Sequence, residues 1–252
     1  MTTFVEQVPS HDSDAADATS VFQIGLAAMV PVLGPAIADG WRHAEAKRAF
    51  AAQHEYNMTV ARRLDALNAA GHAPRQVTMQ DLLESQEFLA GFRKMQREAL
   101  ESAAASRQRR LAAAAAQSGD WSRFSVSQRQ QFARLAVNLD ELHVFLLQYF
   151  MNPRDWLEAH GHGEKWASEE FGSGSPLSPF RDIFGEDQTL WGAPVRQAID
   201  DMEQAGLMAE DFDPDHPFSD ESYLDAFTSP KGRDFLEYVD EIDHVEALPP
   251  VL

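Results

Sequence analysis

Residues 193–208 read APVRQAIDDMEQAGLM, and this stretch decides how the second half of the chain is read. Gly192, Ala193 and Pro194 open it. Proline suits the first helical position, where its missing N–H would have had no intrahelical partner. Gly206 stands just past the far end, where helices commonly close on a left-handed residue. A helix running from Pro194 to the Gly206 stop is therefore expected.

Working outward, Ser125 with Gln128 is a capping box that opens RQQFARLAVNLDELHVFLLQYF. Phe132, Leu135, Leu139, Leu142, Phe145, Leu146 and Tyr149 fall on one face of that helix. Asn152-Pro153 ends it. Residues 158–180 read as loop, with turn chemistry in FGSGSPLSP. Beyond Gly206, DFDPDHPFSD is loop again and residues 223–227 are expected as a short strand. Ser229-Pro230 opens a last helix, KGRDFLEYVDEI, with Phe235, Leu236 and Val239 inward.

This order of elements, over residues 126–245, resembles a winged-helix domain. The carriers are the run LHVFLLQYF followed by NP, the helix APVRQAIDDMEQAGLM with its Gly-Leu ending, and the final SPKGRDFL. The resemblance implies a small β wing and a third helix that usually enters the DNA major groove. The charges depart from that pattern. The third helix carries Asp200, Asp201 and Glu203 against Arg196 alone, and the wing loop carries Glu210, Asp211, Asp213, Asp215, Asp220 and Glu221. Neutralising phosphates requires Lys and Arg, so this face repels a DNA backbone.

The first half is helical in pattern too. From Arg42 to about Ala70, Ala46, Ala49, Phe50, Tyr56, Val60, Leu64 and Leu67 recur at three- and four-residue steps. Gly71 and Pro74 end that run. Thr78 and Asp81 form a second capping-box arrangement. It opens one long arm or two helices, reaching Gly119 through AAAAAQ, with Leu82, Leu83, Phe88, Leu89, Phe92, Met95, Leu100 and Leu111 on the apolar face. Residues 1–20 are polar and acidic and are expected as a disordered tail. Residues 21–41, VFQIGLAAMVPVLGPAIADGW, are almost wholly apolar up to Ala38. Pro31 and Pro35 interrupt them, and Gly25, Ala28, Gly34 and Ala38 would allow close helix approach. A buried hairpin or subunit contact is expected there, with membrane contact as the alternative. This apolar segment and helical pair look like the front half of uncharacterised bacterial helical proteins.

The expected fold class is mainly α: an N-terminal helical hairpin or bundle, then a winged-helix-like α domain with a small β element. The expected layout is the acidic tail at 1–20, a helical domain over 21–120, and an acidic winged-helix-like domain over 121–252.

Charge is unevenly spread. The net charge of the 252 residues is −19. From Arg181 onward there are 19 acidic and 4 basic residues, whereas residues 93–134 carry 9 basic and 3 acidic ones. Opposite blocks can attract within or between subunits, and a basic block can receive an acidic partner or nucleic acid. The residues in question are Arg93, Lys94, Arg97, Arg107, Arg109 and Arg110. Arg93 with Arg97, and Arg107 with Arg110, are each one turn apart and can share a face.

No chemistry is fixed by a motif. There are no cysteines, which excludes disulfides, thiolate catalysis and Cys-based metal sites. There is no Gly-x-Ser-x-Gly elbow and no phosphate loop. His160, His162 and Glu164 in HGHGEKW could ligate a metal, but their spacing matches no standard zinc pattern. No cofactor is implied. The N-terminus has no basic region of a secretory signal, and the cysteine-free composition suits a cytoplasmic setting. Few Lys beside abundant Arg and Ala suits a GC-rich bacterial genome. The expected function is a non-catalytic adaptor or scaffold in a bacterial accessory or defence system, by analogy alone. It would self-associate as a homo-oligomer through the helical half and bind a protein partner through Asp200, Asp201 and Glu203. A nucleic-acid regulator using the basic arm and a membrane-active protein using residues 21–41 are the alternatives.

Overall fold

In a computed structural model of the chain, residues 3–4, 40–70, 75–166, 174–218 and 221–241 are described. Two compact units form, Met1–Asn138 and Leu139–Leu252. The division falls beyond the expected boundary at 120, because the helix at Val126–Asn138 (α5) packs with the first unit.

In the first unit, α1 spans Gly40–Ala70. Tyr56, Val60, Ala61, Leu64 and Leu67 are buried along it, matching the three- and four-residue spacing. Asn68 ties the chain beyond it: its side chain donates to the Val77 carbonyl (3.0 Å) and accepts from the Val77 N–H (2.8 Å). Phe4 is buried, and its N–H donates to Asp65 at 2.8 Å. That residue of the expected tail is therefore anchored. The remainder of residues 1–20, and 21–39 with Gly25, Ala28, Gly34 and Ala38, lie outside the described residues. Positions 40–41 begin α1.

The expected long arm is three helices. These are α2 at Met79–Glu84, α3 at Gln86–Glu101 and α4 at Ala105–Ala116. The Thr78–Asp81 capping box opens α2. Ser85 leaves helical geometry (ψ 103°), ends α2, and its hydroxyl accepts from the Phe88 N–H to cap α3. Ser102 breaks the chain the same way (ψ 134°). Leu83 and Leu100, expected on the apolar face, are exposed, because each stands about 100° round its helix from its buried neighbour, Leu82 or Ala99. The Ala-rich run becomes the hub: every residue from Arg110 to Ala116 is buried, and α4 packs on α1, α3 and α5. Alanines allow this because they cost no rotamer entropy and let neighbouring helices approach closely. Trp121 closes the hub, donating from Nε1 to the Ala116 carbonyl at 2.9 Å. The Ser125–Gln128 box then opens α5, Val126–Asn138.

In the second unit, α6 (Glu141–Met151) is buried from His143 to Phe150 and receives the helices at Gln188–Gln204 and Pro230–Tyr238. Asn152 ends α6 and caps α7 (Pro153–Ala159), with Pro153 at its start. Short helices α8 (Gly163–Trp166) and α9 (Phe180–Phe184) follow. An aromatic cluster fills the core, with Tyr149 packed against Trp156 and Phe180. Then α10 runs over Gln188–Gln204. It starts before the expected Pro194, because Asp187 accepts from the Thr189 N–H and caps it. Pro194 thus sits inside the helix, where it gives no N–H to the Leu190 carbonyl. The far end is as expected: Gly206 has φ +70°, and the Leu207 N–H reaches the Met202 carbonyl at 2.9 Å.

Residues 223–227 do not form the expected strand. A 3-10 turn covers Glu221–Leu224. Among the described residues there is no strand, only isolated antiparallel bridges at Gly174–Phe218 and Met208–Thr228. Thr228 explains the brevity of the second bridge, since its N–H and hydroxyl are claimed by the Phe150 and Leu147 carbonyls of α6. Ser229 then caps α11, Pro230–Tyr238. Among the described residues no helix is long and apolar enough to cross a membrane.

Candidate functional site

The candidate site is the outer face of α10 with the loop that follows it. Val195, Ala198, Ile199 and Met202 point into the core at helical spacing. That forces Ala193, Gln197, Asp200, Glu203 and Gln204 outward. The loop returns acids to the same region. Arg196 holds Asp215, with Nη2 donating to Oδ1 at 2.6 Å and Nε to Oδ2 at 3.3 Å. Glu203 is the electrostatic marker of the face. Partial burial, and then the charges of Asp200 on the helix and Asp213 on the loop, hold its carboxyl above the ordinary value.

Asp201 belongs elsewhere. It turns toward buried His143 on α6, whose Nε2 is 3.5 Å away. The other nitrogen of that ring, Nδ1, lies 2.6 Å from the Asp140 carboxylate that caps α6. The hydrogen bond with His143 draws the Asp140 carboxyl down to about 2, against the opposing effect of burial. Of the three expected interaction acids, Asp200 and Glu203 are exposed, and Asp201 is part-exposed, accepting from Gln197 Nε2 at 3.0 Å beside His143.

The six basic residues do not form one surface. Arg93, Lys94, Arg97 and Arg109 are exposed. Arg107 is half-buried and donates to the Val137 carbonyl at 2.9 Å. Arg110 is only 1% exposed inside the α4 hub. The expected shared face of Arg107 and Arg110 is thus directed into the bundle, because α4 is buried from Arg110 onward. Sequence reading passed over Arg129 and Arg134, which lie on α5 within the same basic block.

The His-rich loop is taken up by packing. His160 stacks on Trp156 with ring centroids 3.8 Å apart, and its Nδ1 lies 2.7 Å from the Trp156 carbonyl. The Glu164 side chain lies outside the described residues. Among the described residues no group of three or more His, Asp or Glu side chains could hold a metal ion. A cleft of about 370 Å3 opens near α8 and α9. Within it Asp182 accepts from Lys165 Nζ (2.6 Å) and Trp166 Nε1 (2.8 Å). Burial pushes its carboxyl up, but these two bonds outweigh burial and hold it below the usual range. An acid bound in this way ties α9 to α8.

No family model, no curated protein and no solved structure matches the chain.

Proposed function

We propose that the second unit is a winged-helix-like protein-interaction module, and that the chain acts as a non-catalytic adaptor whose acidic α10 face binds a cationic protein surface. The order of elements supports the fold reading: α6, then α10, then the Met208–Thr228 bridge enclosing a loop, then α11. The observation that carries the functional reading is the gathering of exposed Asp200 and Glu203 with the loop acids Asp213 and Asp215 in one region, where burial first, and then the charges of Asp200 and Asp213, raise the Glu203 carboxyl. A face whose own charges repel one another gains most from a cationic partner and loses most beside phosphate. Self-association through the helical half belongs to the same proposal. The burial of Arg110 and the backbone bond of Arg107 weigh against a nucleic-acid reading of the basic arm.

The test uses the full chain in two assays. A short labelled DNA duplex titrated at low salt should give no binding, and binding that weakens steeply as salt rises overturns the reading. Affinity purification from the source cells, beside the Asp200→Lys, Glu203→Lys double variant, should recover a partner with the native chain only. The same proteins recovered with both would also overturn it.

A further inference from the structure

The first unit has a groove that the acidic face does not explain. Helix α3 presents Glu87, Ala90, Gly91 and Lys94 to it, and α5 presents Val126, Arg129, Ala133 and Arg134. Each set recurs at three- and four-residue steps, so each is one face of its helix. The space between them is about 450 Å3. From Val126 to Arg134 the floor runs about 12 Å at ~1.5 Å per residue, the length of about two helical turns. The floor is small and apolar, and Val126 stands 48% exposed beside it.

The charges of the groove are polarised. At the end where α3 and α5 begin, Arg129 is paired with Glu87 and also donates to the Phe124 carbonyl at 3.0 Å. Its charge is therefore spent. Glu84, Asp81 and Asp120 gather at that end as well, around Arg75. Toward the other end stand Lys94 and Arg134. Both are exposed, and among the described residues neither has a hydrogen bond or ion pair. Two free cations at one end of an apolar floor are complementary to an apolar ligand with carboxylates at one end.

Two parallel ridges of side chains with small residues between them accept a third helix. Nucleic acid and an anionic membrane would set phosphates against Glu84 and the net negative cluster of Asp81 and Asp120 around Arg75 as well as against the cations, which the mixed charge opposes. We propose that the α3–α5 groove docks an amphipathic helix of a partner protein, with its apolar residues over Ala90, Gly91 and Ala133 and its acidic residues on Lys94 and Arg134. This site lies within the first unit and does not rest on the acidic face of α10.

The experiment is fluorescence anisotropy on the full chain. The probe is a labelled helical peptide with leucines at three- and four-residue spacing and glutamates at one end. Its control carries lysines in place of the glutamates. The acidic peptide should bind at least about tenfold more tightly than the control. Lys94→Glu with Arg134→Glu should reverse that order. Ala90→Trp, at an exposed position, should block both peptides by filling the groove, with thermal melting showing that each variant is folded. Equal binding of the two peptides, no binding of the acidic one, or binding unchanged in both variants would each overturn the proposal.

Discussion

The Asp140 carboxylate lies 2.6 Å from Nδ1 of His143, one turn further along α6. The pair closes the first turn: the His143 backbone N–H donates to Asp140 Oδ1, and the ring Nδ1–H donates to the same oxygen. This fixes a prediction in acid. The Asp140 carboxyl titrates at about 2 in the folded chain against an ordinary 3.8. A depressed carboxyl contributes stability that is complete above the unfolded value and is lost as pH falls through the folded one. The window is therefore roughly pH 4 to 2. At a half-exposed carboxylate, screening reduces the contribution to about 1 kcal/mol. Thermal unfolding of Asp140→Asn beside the native chain should show a lower Tm at neutral pH, with the gap closing across that window. A gap that stays constant from neutral pH into strong acid would sink this assignment.

Glu203 has the opposite sign. Its carboxyl is raised by burial and by Asp200 and Asp213, so ionisation at neutral pH opposes folding. Removing the charge in Glu203→Gln should stabilise the chain by about 0.3 kcal/mol at low salt, the scale of an exposed like-charge contact. Salt screens the contribution of Asp200 and Asp213 but not that of burial, so the gain should shrink at high ionic strength. Denaturation of the two proteins at low and high salt checks this, and a destabilised variant would show that Glu203 has a favourable contact instead.

Gly232 is set by a close approach. A Cβ on this residue would stand 2.4 Å from the Leu207 carbonyl oxygen and 2.7 Å from Thr228 Cγ2. The carbonyl is backbone at the Gly206 turn and cannot swing aside as a side-chain tip could. Gly232→Ala should therefore push α11 away and cost about 2 kcal/mol or more, although alanine favours a helix intrinsically. Urea unfolding measures it. A neutral or stabilising result would mean that α11 sits further from the turn than described.

These residues also show what sequence could reveal. Thr78–Asp81 and Ser125–Gln128 were legible because capping is local: donor and acceptor are three residues apart, and no tertiary contact is needed. Tyr56, Val60, Leu64 and Leu67 were legible because periodicity survives packing. The breaks at Ser85 and Ser102 were not. Serine also occurs inside helices, so neither residue marks a break by itself; Ser85 caps α3 with its hydroxyl, and Ser102 ends α3 by its extended backbone. The start of α10 was misplaced because the Asp187 cap competes with the proline signal and prevails once Trp191 is buried. The candidate site was half legible. Composition placed acids on α10, but only three-dimensional neighbours separate Asp201, turned to His143, from outward Asp200 and Glu203.

The α4 hub gives the most direct test of the first unit. Ala112, Ala114, Ala115 and Ala116 have no exposed surface at all. A basic, alanine-rich segment in an acidic chain would ordinarily be read as a solvated arm, and the two readings predict different outcomes for one substitution. If Ala114 faced water, Ala114→Leu would change stability by less than about 0.5 kcal/mol. In a hub packed against α1, α3 and α5, three extra carbons have no space. The cost should be roughly 1–3 kcal/mol, as for overpacked cores. Ala69→Leu, at an exposed position near the end of α1, is the control and should be close to neutral. Chemical denaturation of both variants decides the matter. Equal midpoints would remove α4 from the core, and with it the explanation for the burial of Arg110.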